Sequence, residues 1–226
     1  MSFGDKNFTY GPRIVKDGLV FYVDAANPKS YVSGETITND LILGITGTLE
    51  NGVGFSTDNN GNWDFDGTDD NISLSNTITN TIYTLDFWYK MGVNDGSYGY
   101  FASSGANGFA ISEGGTFAGL SYGEFYYYNG SVITPLVSIP SLTEWNSVTS
   151  IIDTSSNNIK VYGNGSLISN NTINNLSTSV TNIGRYVYFN GNYLNGNLSL
   201  YKIYNRALSS EEITQNYNAL KPRFGL

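Results

Sequence analysis

The segment that most constrains the fold of this chain is residues 196–213, GNLSLYKIYNRALSSEEI, in which a strand pattern runs directly into a helix start. Leu198 and Leu200 share one phase of the alternation, whereas Tyr201 and Ile203 carry the apolar face in the opposite phase. Because side chains alternate along a strand, one extra residue reverses every position that follows it. The pattern therefore predicts a long strand that contains a single bulge.

A short helix is predicted directly after this strand. Ser209 lies three residues before Glu212, which is the spacing of a capping box, and acidic side chains suit the positive end of a helix. Ile213, Tyr217 and Leu220 then follow at helical spacing, so they are expected to share one apolar face. The chain is therefore expected to end in a strand and one capped helix.

The rest of the chain alternates between short strand patterns and polar turns. Residues 145–153 and 158–162 flank a short polar loop, which is the pattern of a hairpin. Along residues 82–90 two sets of side chains face opposite ways: Tyr83, Leu85, Phe87 and Tyr89 on one side, Thr84, Asp86, Trp88 and Lys90 on the other. The second set is predicted to face a wetter surface. With one helix only, these patterns predict an all-β protein built as a two-sheet antiparallel sandwich.

Composition excludes several classes of function. The 226 residues include no cysteine and no histidine, so disulfides and thiolate or imidazole metal sites are excluded. The formal net charge of −8 repels the phosphate backbone of nucleic acids. The N-terminus lacks the pattern of a secretory signal, and no apolar run is long enough to span a membrane. We expect a soluble protein that is made in a cytoplasm, binds no nucleic acid and does not insert into a membrane.

Four sequence blocks carry a family resemblance when they are taken together. They are GLVFYVDAANPKSY at 18–31, FDGTDD at 65–70, TLDFWYK at 84–90 and YKIYNRALS at 201–209. In this order they resemble the laminin-G-like branch of the concanavalin A-like superfamily. The resemblance implies a jelly-roll sandwich that ends in a short helix.

The chain divides into three predicted parts, because residues 1–17 are less regular than the sequence that follows and the resemblance begins at residue 18. Residues 1–17 are expected to form an N-terminal arm, residues 18–220 the laminin-G-like jelly roll, and residues 221–226 a C-terminal tail. The arm and the tail are expected to contact other proteins.

A second resemblance concerns both ends of the jelly roll. The opening DAANPKSY at 24–31 and the ending NYNALKPRFGL at 216–226 are similar to those of virion structural proteins of tailed bacteriophages. This implies a capsid decoration, a fibre or a tail appendage on the virion surface, made in the bacterial host cytoplasm. The implied partners are other virion proteins, reached through the N-terminal arm, and host-surface glycans. The chain would be present as a homo-oligomer or in many copies on the particle.

The sequence argues against an enzyme. Glycoside hydrolases need two carboxylates held at a fixed separation across the scissile bond. Asp64 and Asp66 are the one pair with strand spacing, and the Glu-x-Asp-x-x-Glu arrangement of glucanases is missing. We therefore predict a non-enzymatic, lectin-like protein. A glycan-cleaving hydrolase and a structural spacer without a ligand stay as alternatives.

Calcium is the metal that the residue types could hold. Asp66, Asp69 and Asp70 form the densest group of hard oxygen ligands, which Ca²⁺ prefers. The alternative is a tight polar turn in which these side chains accept hydrogen bonds from their own backbone. We favour the turn, so no cofactor is predicted and calcium stays as the alternative.

Tyrosines dominate the candidate sugar-binding residues. Sugar rings stack on flat aromatic faces while their hydroxyls bind amide and carboxylate groups. Consecutive Tyr126, Tyr127 and Tyr128 cannot all face a core, so at least one is expected to be exposed. The candidate carbohydrate-binding residues are Tyr98, Tyr100, Tyr122, Tyr126, Tyr128 and Asn129. An exposed tyrosine row suits a protein interface equally well, and both readings stay open.

Overall fold

The computed structural model describes residues 12–93, 97–104, 107–113, 119–177, 179–187 and 192–226. The strands of the first half of the chain are β1 (Leu19–Asp24), β2 (Ile37–Asn39), β3 (Thr46–Glu50), β4 (Gly54–Ser56), β5 (Asn62–Asp66), β6 (Asn71–Thr79), β7 (Ile82–Met91), β8 (Ser97–Ser104) and β9 (Asn107–Glu113). Those of the second half are β10 (Glu124–Tyr128), β11 (Ile133–Ser138), β12 (Asn146–Asp153), β13 (Asn158–Gly163), β14 (Ser166–Thr172), β15 (Ser179–Ile183) and β16 (Asn195–Tyr204). Helix α1 (Ser210–Leu220) follows β16, and short 3-10 helices lie at Asp58–Asn60 and Lys221–Phe224.

The strands form two antiparallel sheets that pack face to face. Sheet A has the order β14-β13-β12-β7-β16-β5-β4, and β1 pairs with the second half of β16. Sheet B has the order β11-β10-β9-β8-β15-β6-β3-β2. The predicted all-β sandwich with one short C-terminal helix is therefore confirmed.

The main core lies between the inner faces of the two sheets. Phe87 of sheet A stacks on Phe101 of sheet B with ring centroids 4.3 Å apart, and Tyr201 packs on the other side of Phe87 at 5.7 Å. All three side chains are fully buried. The hydrophobic face that the sequence assigned to β7 is thus the face that holds the two sheets together.

The bulge predicted in β16 is present. The register between β16 and β7 shifts between Leu198 and Leu200, so Ser199 is the extra residue. Leu198 joins Tyr201 in the main core, whereas Leu200 packs on the outer face of sheet A. The expectation that Leu198 and Leu200 share a face is therefore wrong, because the bulge lies between them rather than after them.

The outer face of sheet A is covered by the C-terminal segment of the same chain. Trp88 stacks on Tyr217 of α1 at 5.9 Å and on Phe224 of the final 3-10 helix at 4.0 Å. Asp86 and Trp88 are both almost completely buried. The prediction of a wetter surface on this side of β7 is therefore wrong, because a helix from a distant part of the sequence lies on it.

The capping box predicted for α1 is confirmed. The Glu212 N–H donates to the Ser209 hydroxyl at 3.2 Å, and the Ser209 N–H donates back to the Glu212 carboxylate at 2.9 Å. The Arg206 guanidinium forks onto both oxygens of the same carboxylate at 2.7 and 2.6 Å, which lowers the pKa of Glu212 to about 2. No helix in the described ranges is long and apolar enough to span a bilayer.

Both ends of the described chain pack against the sandwich. Val15 is buried beside α1, and Arg223 pairs with Asp24 at 2.8 Å. The predicted boundaries set residues 1–17 and 221–226 apart from the jelly roll. In the structure, Val15 of the predicted arm and Phe224 of the predicted tail are buried in apolar clusters with residues of sheet A, whereas Leu226 is 48% exposed. The first eleven residues of the arm lie outside the described residues.

Candidate functional site

Sheet B carries a group of tyrosine rings on the face that points away from the core. In β10, Phe125 and Tyr127 point into the main core, so the tyrosines on either side of Tyr127 point outward. β8 adds two further tyrosines to this outer face, and one more follows β15. The tyrosine cluster consists of Tyr98, Tyr100, Tyr126, Tyr128 and Tyr186.

The rings of the tyrosine cluster contact one another in well-defined geometries. Tyr126 meets Tyr98 and Tyr100 edge to face at centroid distances of 6.0 and 5.9 Å. Tyr186 stacks on Tyr100 at 4.8 Å and meets Tyr128 edge to face at 5.7 Å. Aromatic pairs in this range each contribute about 0.5–1.5 kcal/mol beyond the burial of area. The four contacts hold the rings in fixed positions.

Some tyrosines of the cluster are buried and others are half-buried. Tyr100 and Tyr126 are at most 3% exposed, and burial raises the pKa of both hydroxyls. Tyr98 and Tyr128 are half-buried, so parts of their rings reach the surface. Of the three consecutive tyrosines, Tyr128 is therefore the one that a ligand can contact. Tyr186 is buried as well, so three buried tyrosines support the two that reach the surface.

A glycine in β9 makes room for the cluster. A Cβ atom at Gly108 would lie 2.5 Å from Cδ1 of the Tyr100 ring. Gly108 pairs with Tyr128 on one side and with Ser103 on the other. Because Gly108 has no side chain, the Tyr100 ring lies directly against the backbone of β9. Gly108 itself lies between Tyr128 of β10 and Ser103 of β8.

A row of polar side chains continues from the tyrosine cluster across sheet B. Starting at Tyr128, the strand register leads through Gly108 and Ser103 to the residues in β15, β6 and β3. Those residues are Asn182, Ser73 and Thr48, which are half-buried or exposed. We call these three side chains the polar row. Hydroxyl and amide groups thus lie on the same sheet face as the aromatic rings, which is the combination that sugars bind.

Two of the residues predicted from sequence do not join the cluster. Tyr122 packs against the main core, and its hydroxyl donates to the Gly92 carbonyl at 3.0 Å. Asn129 lies in the turn between β10 and β11. Its Oδ1 accepts the N–H groups of Ser131 and Val132, and its Nδ2 donates to a backbone carbonyl at 3.1 Å. The side chain of Asn129 therefore holds the hairpin, and the structure brings together the other four predicted residues.

Sequence reasoning missed Tyr186. It lies in the segment after β15, and its ring reaches Tyr100 and Tyr128 across the sheet. The sequence around it, Arg185-Tyr-Val-Tyr188, alternates tyrosine with other residues in the same way as β8. That alternation was the sequence pattern that could have indicated an outward-facing tyrosine. The contacts of Tyr186 with Tyr100 and Tyr128, however, join residues that are too far apart in sequence to be paired from a local pattern.

The acidic group before β6 forms a hydrogen-bonded turn. The Asp66 N–H donates to the Asp70 carboxylate at 3.1 Å, and the Thr68 N–H donates to the Asp66 carboxylate at 2.7 Å. These bonds confirm the predicted polar turn. One carboxylate oxygen from each of Asp66, Asp69 and Asp70 lies within 4.8 Å of the others, and burial, followed by these neighbouring charges, raises the pKa of Asp70 to about 6. Calcium binding at this turn stays the alternative that the sequence offered.

The carboxylate pair considered for catalysis lies on the other sheet. Asp64 and Asp66 alternate along β5 with buried residues, so both face outward from sheet A. Asp64 accepts a hydrogen bond from Asn197 Nδ2 at 3.0 Å. Because the tyrosine cluster belongs to sheet B, this pair does not border it.

Comparison with protein families agrees with the fold. The family model described as the concanavalin A-like lectin/glucanases superfamily matches residues 66–214, more than half of the chain. The chain belongs to the concanavalin A-like lectin/glucanase superfamily. A comparison with curated protein sequences found no match.

Solved structures with a similar fold come from very different proteins. A Trypanosoma rangeli sialidase in complex with difluoro-KDN aligns with a TM-score of 0.64 and 13% identity, covering 93% of this chain and 34% of the sialidase chain. The receptor-binding domain of botulinum neurotoxin type G aligns with a TM-score of 0.61 and 15% identity, covering 89% and 51%. This superfamily member thus spans about a third of the sialidase chain and about half of the receptor-binding-domain chain. At these identities the likeness shows the fold alone.

Proposed function

We propose that this superfamily member is a non-enzymatic glycan-binding protein whose ligand lies on the outer face of sheet B. The observation that carries the proposal is the half-buried Tyr98 and Tyr128 pair, held by three other rings and continued by the polar row. Sugar rings place C–H faces on aromatic rings and hydroxyls on amide and hydroxyl groups. Sheet B offers both kinds of group on one surface.

Weak single contacts suit a protein that is present in many copies. One exposed ring edge and a few hydroxyl groups give modest affinity, and several copies on one particle convert it into strong attachment. We therefore propose that the chain acts on the surface of a virion, as a capsid decoration or an appendage, and recognises host-surface glycans. A cysteine-free, acidic chain is compatible with that place. Cryo-electron microscopy of the parent particle tests it, because absence of this jelly roll from virions would refute the location.

Glycan binding is tested by applying the multimerised full chain to an array of bacterial surface glycans, followed by titration of each hit. Tyr128→Ala is expected to weaken binding about fivefold, because a stacking contact of roughly 1 kcal/mol is lost. Tyr128→Phe keeps the ring and is expected to retain most of the affinity. Leu167→Ala is the control, because Leu167 is 51% exposed on β14 of sheet A.

Other outcomes of this experiment identify the alternatives. An array without any hit favours a structural spacer that has no ligand. Release of reducing sugars from a bound glycan identifies a hydrolase and refutes the non-enzymatic proposal. Equal loss of binding in the Leu167→Ala control would show that the effect of Tyr128→Ala is not specific to sheet B.

A further inference from the structure

Three polar side chains meet beneath α1 on the outer face of sheet A. Lys202 of β16 and Asp86 of β7 are register neighbours, and Lys202 Nζ lies 2.9 Å from Asp86 Oδ2. Asn216 of α1 donates from Nδ2 to the same Asp86 Oδ2 at 2.7 Å. One carboxylate oxygen therefore bridges an amine and a side-chain amide.

This triad is sealed from water. The relative exposures of Lys202, Asp86 and Asn216 are 0%, 1% and 2%. The neighbouring Tyr204 and Ile213 belong to an apolar cluster between α1 and the sheet. Asp86 Oδ2 lies within hydrogen-bond distance of Lys202 Nζ, so it is placed to accept a proton from that nitrogen. An amine that has given up its proton is a nucleophile.

The amide of Asn216 is held in a way that activates its carbonyl carbon. The Val15 N–H donates to Asn216 Oδ1 at 2.8 Å, in the position where negative charge develops during attack on the carbon. Asn216 Nδ2 donates a second hydrogen bond to the Tyr204 hydroxyl at 3.0 Å. Nucleophile, carbonyl and carboxylate are thus fixed before any reaction, which removes most of the entropic barrier.

We propose that Lys202 and Asn216 form an intramolecular isopeptide bond, with Asp86 as the acid–base group. Asp86 takes one proton from the Lys202 ammonium, and the resulting amine attacks Asn216 Cγ. The Nζ–Cγ bond forms and the Cγ–Nδ2 bond breaks, while Asp86 passes its proton, and then the second proton that Nζ loses, to the departing nitrogen. The products are an amide that joins β16 to α1 and one ammonium ion, Asp86 ends as a carboxylate, and no oxidant or other co-reactant is needed.

The proposal is independent of glycan binding and is tested on the purified full chain by high-resolution mass spectrometry. The expected mass is lower than the sequence mass by one ammonia. Asn–Gly turns such as Asn164–Gly165 also lose ammonia when they cyclise to a succinimide, so a proteolytic digest decides the site. A branched peptide that links Lys202 to Asn216 supports the proposal. Separate, unmodified Lys202 and Asn216 peptides from folded protein overturn it.

Variants then test the role of each group. Asp86→Asn removes the acid–base group, and Lys202→Met removes the nucleophile; both are expected to keep the full sequence mass. Lys160→Met on β13, outside the triad, is the matched control and is expected to lose ammonia as the parent does. Loss of water instead of ammonia in the parent would identify Asp86 as the electrophile and overturn the assignment. The parent's own mass decides the question even where a triad variant fails to fold.

Discussion

Replacement of Phe224 by alanine is expected to lower the free energy of unfolding by about 3 kcal/mol. The side chain is 7% exposed, and its ring stacks on Trp88 at 4.0 Å and contacts Trp145 at 5.0 Å. Burial of such a ring contributes about 1.5–3 kcal/mol, and each aromatic pair adds about 0.5–1.5 kcal/mol. Because water can enter the space at the chain end, little cavity penalty is added and the value stays at the low end for such substitutions.

The measurement is urea denaturation followed by tryptophan emission. Trp88 is fully buried in the parent, so the folded variant is also expected to emit at longer wavelength. Leu226→Ala, two residues further on and 48% exposed, is the control and is expected to change stability by less than about 0.5 kcal/mol. A loss below about 1 kcal/mol for Phe224→Ala, with an unchanged urea slope, would refute the conclusion that the tail belongs to the folded core.

Three further substitutions test local features. Asp70→Asn is expected to stabilise the protein by about 1 kcal/mol at pH 8 and by little at pH 4. The pKa of Asp70 is raised in the folded protein, so ionisation of this carboxyl opposes folding as the pH rises through about 6. Equal effects at both pH values in chelator-treated samples would contradict this. Ser209→Ala is expected to cost about 1 kcal/mol in urea melts, through loss of the bond to the Glu212 N–H. Gly108→Ala is expected to cost about 1–3 kcal/mol because its Cβ meets the Tyr100 ring, and an additive loss in a Gly108→Ala/Tyr100→Ala double variant would contradict that reason.

Features that depend on neighbouring residues were predictable from the sequence. The spacing of Ser209 and Glu212 fixes a cap whose two hydrogen bonds lie within four residues. The alternation along β7 identifies the side that packs between the sheets, since Phe87 and its neighbours at even spacing are all apolar. Strand periodicity also depends only on residues that are close in sequence, so the all-β fold class could be predicted from it.

Features that depend on distant residues were not predictable. The polar side of β7 looks solvated because nothing near Asp86 in sequence shows that Asn216 will lie on it. The bulge in β16 was predicted, but its position depends on the pairing with β7, which the strand alone does not reveal. The candidate site divides in the same way: alternation predicted that at least one of the three consecutive tyrosines leaves the core, whereas the contact of Tyr186 with Tyr128 arises only in the folded sheet.

The two outer faces of the sandwich differ in a way that an optical experiment can use. The chain has three tryptophans: Trp63 lies in the main core, and Trp88 and Trp145 lie under the C-terminal segment on sheet A. The tyrosine cluster on sheet B contains none of them. A glycan bound at the cluster is therefore expected to change the near-ultraviolet circular dichroism of tyrosine while tryptophan emission stays constant, and Tyr128→Ala is expected to abolish the change. A shift of tryptophan emission at saturating glycan would instead place the ligand beside sheet A, and the tyrosine cluster would then be a packing feature without a role in binding.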